Sequence, residues 1–132
     1  MARTTPGKRT EVLLMKITRI YADREGESWF EDLDVACSPK GFGFISNPME
    51  VEQFFLRETA ARATQDWHQA PRKQYVVLLS GAVEVEVSSG EVRRFETGDV
   101  LLAEDTHGKG HRTTSLSDEV RKSLFITVRE AA

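Results

Sequence analysis

Residues Gln74–Phe95 read QYVVLLSGAVEVEVSSGEVRRF, and this stretch decides the fold. Val83, Val85 and Val87 fall on one parity, Glu84 and Glu86 on the other. A period of two sends alternate side chains to opposite faces, so this segment is a half-buried strand of an antiparallel sheet. The apolar run from Gln74 to Leu79 precedes it and ends at Ser80-Gly81. Ser88-Ser89-Gly90 then turns the chain into Glu91 to Phe95. Three strands joined by short turns are expected. Each buried valine should contribute about 1.5–3 kcal/mol.

The pattern continues on both sides. Glu96-Thr97-Gly98-Asp99 is a turn, and Val100 to Ala103 is a more apolar strand suited to a central position. Thr106 to Lys109 forms a polar loop, His111 to Thr114 a strand, and Ser123 to Val128 the last strand. Upstream, strands are expected over Lys16 to Tyr21, Trp29 to Val35 (near an edge) and Glu50 to Glu58. Ser38 to Pro48 predicts a loop whose Phe42, Phe44 and Ile45 cover one mouth of the core, and Ala60 to Thr64 another loop. Many short strands without crossover helices indicate an all-β sandwich or barrel and exclude a parallel α/β fold.

The chain has 132 residues, which fits a single domain over 11–132, preceded by a flexible polar tail over 1–10. That basic tail has no apolar region after it, so it is not a secretion signal. Hydrophobic residues make up 39% and charged residues 30%, as in ordinary globular proteins. The net charge of −3 leaves no basic excess for a phosphate backbone, so no nucleic-acid partner is expected. No long apolar run is present, so no membrane span is expected. Cys37 is the sole cysteine, which forbids an intrachain disulfide and fits a reducing, cytoplasmic setting. Its loop context favours a small apolar role over a nucleophilic one.

The spacing His68, Ala70, Gln74, Gly81 resembles the first motif of the cupin superfamily, whose barrel is a double-stranded β-helix or jelly roll. Gly98-Asp99 and His111 resemble the start and end of the second motif, with Glu104 to Gly110 as a longer loop between them. The two signatures, H-x-A-P-R-x-Q and E-D-x-x-G-x-G-H, are similar to those of a subgroup of small bacterial cupins. The resemblance covers Asp66 to Thr114. It implies a cupin-type jelly roll and a homodimer. It also implies a small-molecule enzyme that uses a divalent metal on a carbonyl- or enol-type metabolite, as a dioxygenase, isomerase, cyclase or lyase. The superfamily's usual metal set is three histidines and a carboxylate. Here Ala70 and Gln74 stand at two of those places.

Parity puts Gln74 with Val76 and Leu78, so Gln74 points inward if those two are core. The jelly roll is expected to set the strand beginning at His111 beside that of Gln74, with Glu104 or Asp105 at the rim. Three readings stay open. His68, Gln74 and His111 could bind Zn, Fe, Ni or Mn, since imidazole and amide oxygen suit such ions. Without metal, His68 or His111 could act as general acid or base, tuned by Asp105 or Glu104, in an isomerase or epimerase. The pocket could instead bind a small molecule without chemistry, or the polar cluster could merely satisfy the glycine-rich loop. Val76, Leu78, Val85, Leu102 and Phe125 would form the apolar wall. Arg72, with Lys73, would hold a substrate carboxylate at the mouth; as loop charges both are more readily read as solvated. His107 is a lid or solvated histidine, and Trp67 a packing residue. Gly108-Lys109-Gly110 lacks the spacing of a phosphate loop, so no nucleotide cofactor is expected.

Overall fold

A computed structural model describes residues 12–130. The tail expected over 1–10 lies outside the described residues. Among the described residues, eleven strands form two sheets. They are β1 (Leu13–Ala22), β2 (Ser28–Lys40), β3 (Gly43–Ser46), β4 (Val51–Thr59), β5 (Thr64–His68), β6 (Gln74–Ser80), β7 (Val83–Val87), β8 (Val92–Phe95), β9 (Val100–Ala103), β10 (His111–Ser115) and β11 (Arg121–Val128). The first sheet has the order β3-β2-β1-β9-β6-β11-β4, the second β5-β10-β7-β8.

Strands β4 to β11 cross from sheet to sheet, except for the β7–β8 hairpin within the second sheet, in two interlocked Greek keys, which is a jelly roll. The protein is therefore all-β, with the cupin-type double-stranded β-helix that its motifs predict. Strands β1 to β3 extend one edge. β1 attaches parallel to β9, through Thr18–Leu101 to Ile20–Ala103, and all other pairings are antiparallel. No helix among the described residues is long and apolar enough to cross a membrane.

The alternation of β7 works as its sequence requires. Val83, Val85 and Val87 are buried between the sheets, and Glu84 and Glu86 are not. The core joins them to Ile20, Phe30, Leu78, Phe95 and Leu101, with Val76 packed against the cluster. Phe30 and Phe95 meet as tilted rings with centroids 6.0 Å apart. Cys37 is buried, as its apolar reading requires.

Three local expectations are corrected. Ser38 to Pro48 is not a loop over the barrel mouth. β2 runs on to Lys40 and pairs with β3 from Cys37–Ser46 to Lys40–Gly43, with Phe42 fully exposed at the turn. Pairing with β1 over ten residues carries β2 past its apolar run. Second, β5 begins at Thr64, inside a segment too polar to signal a strand, because β10 supplies its pairing partner. Third, β10 does not lie beside β6. β10 pairs with β5 and β7, whereas β6 pairs with β9 and β11, so His111 and Gln74 face each other from opposite sheets.

Candidate active site

Between the sheets lies a cavity of about 400 Å³, in the range of small-molecule pockets. Gln74, Val76 and Leu78 line it from β6, Phe125 from β11, Val83 and Val85 from β7, and His68 and His111 from β5 and β10. Exposed residues of both edge strands also line it, Phe55 and Arg57 on β4 and Gln65 on β5, so the open side lies there.

His68 and His111 are cross-strand partners in the β5–β10 register. Their rings meet edge to face with centroids 4.4 Å apart. Both are tied at Nδ1. His68 Nδ1 lies 2.7 Å from the Asp66 carbonyl oxygen, and His111 Nδ1 lies 2.5 Å from Asp105 Oδ2. An Nδ1–H donated to an oxygen leaves Nε2 as the ring nitrogen with a free lone pair. Burial lowers the His68 pKa below its ordinary 6.5, and although the Asp66 carbonyl works against this, the nearby His111 and Arg57 reinforce it. His68 is therefore held neutral near neutral pH.

Asp105 is wholly buried behind His111, and its Oδ1 has no hydrogen-bond partner among the described residues. The same holds for the buried Gln74 Oε1. Backbone contacts fix this corner. Ala70 N–H donates to the Asp105 carbonyl at 3.0 Å, which joins the two motifs, and Glu104 N–H donates to Ile20 at 2.7 Å.

The loop before His111 is held by a close approach. Gly110 has φ +74°, and a Cβ there would collide with the His68 carbonyl. Only glycine lets the two motifs come this near. Ser28, also fully buried, donates its hydroxyl to the Gly110 carbonyl at 2.6 Å and exchanges backbone-to-hydroxyl bonds with Ser88 at 2.7 and 2.8 Å. Nothing in the local sequence marks Ser28 as part of the site's support, since its partners come from distant turns.

Several expected site residues lie elsewhere. Glu104 is not in the cavity wall. It pairs with Arg19 at 2.5 Å and Lys73 at 3.0 Å. Burial alone would raise its pKa, but those two cations outweigh it and bring it below 4.5. Leu102 is buried on the other parity of β9 from Leu101 and Ala103, which do line the cavity. Arg72 is exposed and outside the cavity. His107 touches the Asp23 carbonyl at 3.3 Å, and Trp67 carries the Arg112 guanidinium 5.1 Å from its ring centre. Two residues that sequence reasoning passed over, Arg57 and Arg121, do line the cavity.

For a metal ion, no group of three His, Cys, Asp or Glu side chains is assembled among the described residues. What the cavity does offer is His68, His111 and the Gln74 amide, two imidazoles with oriented rings and an orphaned buried oxygen. That donor chemistry fits a divalent transition metal as a neutral set.

No family model matches this sequence. Over 93 residues it is 32% identical to ribonuclease Z of Streptococcus pyogenes serotype M5 (strain Manfredo), covering 69% of this chain. The chain spans only 28% of the length of that curated relative. Among solved structures, it is similar to the Cnp3 cupin domain of Schizosaccharomyces pombe, with 14% identity, a TM-score of 0.49, and coverage of 87% of this chain and 88% of that one. A cupin domain from Bordetella pertussis Tohama I gives 14% identity, a TM-score of 0.43, and coverage of 93% and 98%. The fold assignment rests on the strand order.

Proposed function

We propose that the cavity performs proton transfer on a small carbonyl compound, as an isomerase or epimerase, with His111 and Asp105 as its acid–base pair. The observation that carries this reading is the buried 2.5 Å contact between His111 Nδ1 and Asp105 Oδ2 at the cavity wall. Asp105 orients the ring and stabilises the imidazolium that forms when Nε2 takes a proton from carbon beside the carbonyl. The same nitrogen returns the proton on the same face to a neighbouring position, which gives isomerisation, and epimerisation follows only where the enol turns over in the cavity before it is reprotonated. The Gln74 amide is placed to orient the carbonyl oxygen, and the apolar wall of Val76, Leu78 and Val85 limits water. The test is exchange of carbon-bound hydrogen in D2O, followed by NMR, over a panel of 2-keto acids and ketose phosphates. Exchange that is lost in His111→Gln is expected. If no member of the panel exchanges faster than in buffer, the reading fails.

A second reading has its own support. Both histidines are tied at Nδ1, the arrangement that orients metal ligands, and Gln74 Oε1 is orphaned. His68, His111 and Gln74 would hold a divalent ion, which supplies Lewis-acid polarisation of a carbonyl when bound. Elemental analysis of untagged protein, beside Gln74→Ala and His111→Ala, tests this. Sub-stoichiometric metal in the parent, unchanged in the variants, sinks it.

We also propose that the chain forms a homodimer through the outer face of β4 and β11. Phe54 and Leu56 are exposed there, opposite Ile126 and Leu124 in the register, and β4 is an edge strand. An apolar edge of this kind calls for a cover, and a twofold pairing of the same patch supplies one.

A further inference from the structure

We propose that Arg57 and Arg121 form an anion-recognising subsite at the open side of the cavity, so that the ligand is a small molecule bearing a carboxylate or phosphate. This deepens the proton-transfer reading by naming the substrate class of the same cavity, and rests on that cavity being a ligand site.

The placement follows from register. Arg57 on β4 pairs with Ser123 on β11, and Arg121 lies two residues before Ser123 on that strand. The two arginines are thus diagonal neighbours on the cavity side, with Cα atoms about 7–8 Å apart. Both line the cavity, and among the described residues no aspartate or glutamate lines it with them. Neither arginine has an ion-pair partner among the described residues. Of the two acids just before Arg121 in the chain, Asp118 is taken by Arg62 at 2.7 Å, and Glu119 forms no ion pair with it.

Arg121 is half-buried, and its Nε is a buried donor without a hydrogen-bond acceptor. Burial and the neighbouring Arg57 charge both push its pKa down. An unpaired buried donor and two adjacent like charges are each unfavourable in a folded protein. A carboxylate or phosphate between the guanidinium groups would relieve both, because each presents a planar fork of donors matched to such oxygens. Thr59 and Gln65 line the same part of the cavity and add neutral hydrogen-bonding groups. The Arg57 guanidinium lies 5.9 Å from the Phe125 ring centre, which holds it toward the cavity. Arg57 and Arg121 line the same cavity as His68 and His111, so an anion held by the arginines shares that space with the histidines.

The test uses the full chain with inorganic phosphate, pyruvate and uncharged acetone as probes, read by isothermal titration and by the shift of the thermal midpoint. Phosphate, pyruvate or both are expected to bind at least tenfold more tightly than acetone. The stronger of the two identifies the head group. Arg121→Gln and Arg57→Gln should each lose tenfold or more of that affinity, while Arg72→Gln, outside the cavity, stays like the parent. A structural arginine lowers the midpoint when removed. Here Arg121→Gln should raise the midpoint in anion-free buffer and abolish its upward shift with the bound anion. Anion binding no stronger than that of acetone, or parent-like affinity in both cavity variants, overturns the proposal. Anion affinity is read without turnover, so anion-selective binding with no hydrogen exchange on any panel member fails the proton-transfer reading alone, and exchange without anion selectivity fails this one alone.

Discussion

His111 Nδ1 sits 2.5 Å from Oδ2 of the fully buried Asp105, and the two residues are the ends of a single loop that enters β10. The carboxylate has no other hydrogen-bonded side chain among the described residues, so its role runs through the imidazole. Asp105→Asn should keep the fold, because an amide oxygen can still accept the Nδ1 proton. Loss of the negative charge should slow proton exchange on the order of 10²-fold or more. Asp105→Ala should in addition destabilise the chain by about 1–3 kcal/mol, as a buried donor is left unpaired. Long-range nitrogen–proton NMR of the histidines checks the tautomer directly, with Nδ1 of His111 protonated in the parent. A protonated Nε2 with bare Nδ1 would contradict it.

Gly110 and Gly90 separate two effects of a glycine. Both have positive φ, +74° and +109°, but only Gly110 is crowded, by His68. Gly90→Ala should destabilise by about 1–2 kcal/mol, the penalty for a left-handed L-residue. Gly110→Ala should be clearly worse, because the β5–β10 contact must open to admit the methyl group. Urea unfolding of both variants measures the gap, and equal losses would refute the close approach.

Glu104 predicts a pH dependence of stability. Its folded pKa lies below the ordinary 4.5, so the folded chain binds fewer protons there than the unfolded chain. The contribution is therefore fully present above about pH 4.5 and is lost as pH falls through the folded value. Glu104→Gln should flatten the fall in stability below that pH while lowering stability at neutral pH. Superimposable acid-unfolding curves for parent and variant would remove Glu104 from the account.

Phe54 and Leu56 test the proposed dimer. A Phe54→Glu, Leu56→Glu chain should run as a monomer in light scattering at concentrations where the parent is a dimer, with an unchanged circular dichroism spectrum. Both side chains point away from the cavity, so binding of phosphate or pyruvate should persist. A parent that is itself monomeric at high concentration ends the idea.

Much of the barrel was legible in local chemistry. Val83, Val85 and Val87 announce their strand by period, and the Gly-Ser turns on either side mark where it ends. The segments that misled are those whose structure is imposed by a partner. Thr64–His68 is polar and becomes a strand because β10 pairs with it. The end of β2 is drawn out by pairing with β1 and β3. His68, Gln74 and His111 could be named from motif spacing. Glu104 could not be told from Asp105 by spacing, since the choice depends on Arg19 and Lys73, which approach from other strands.

By itself, then, the sequence determined the strand periodicity, the turns, the two-motif spacing and hence the jelly roll, because alternation and turn preference act between near neighbours. Tertiary structure alone decided that Asp105 backs His111, that Ser28 pins the Gly110 loop, and that Arg57 and Arg121 share one cavity without an acid. Those facts depend on register between strands distant along the chain. A one-residue slip would turn Arg57 outward and Leu56 inward, and only the packing of the whole barrel forbids it.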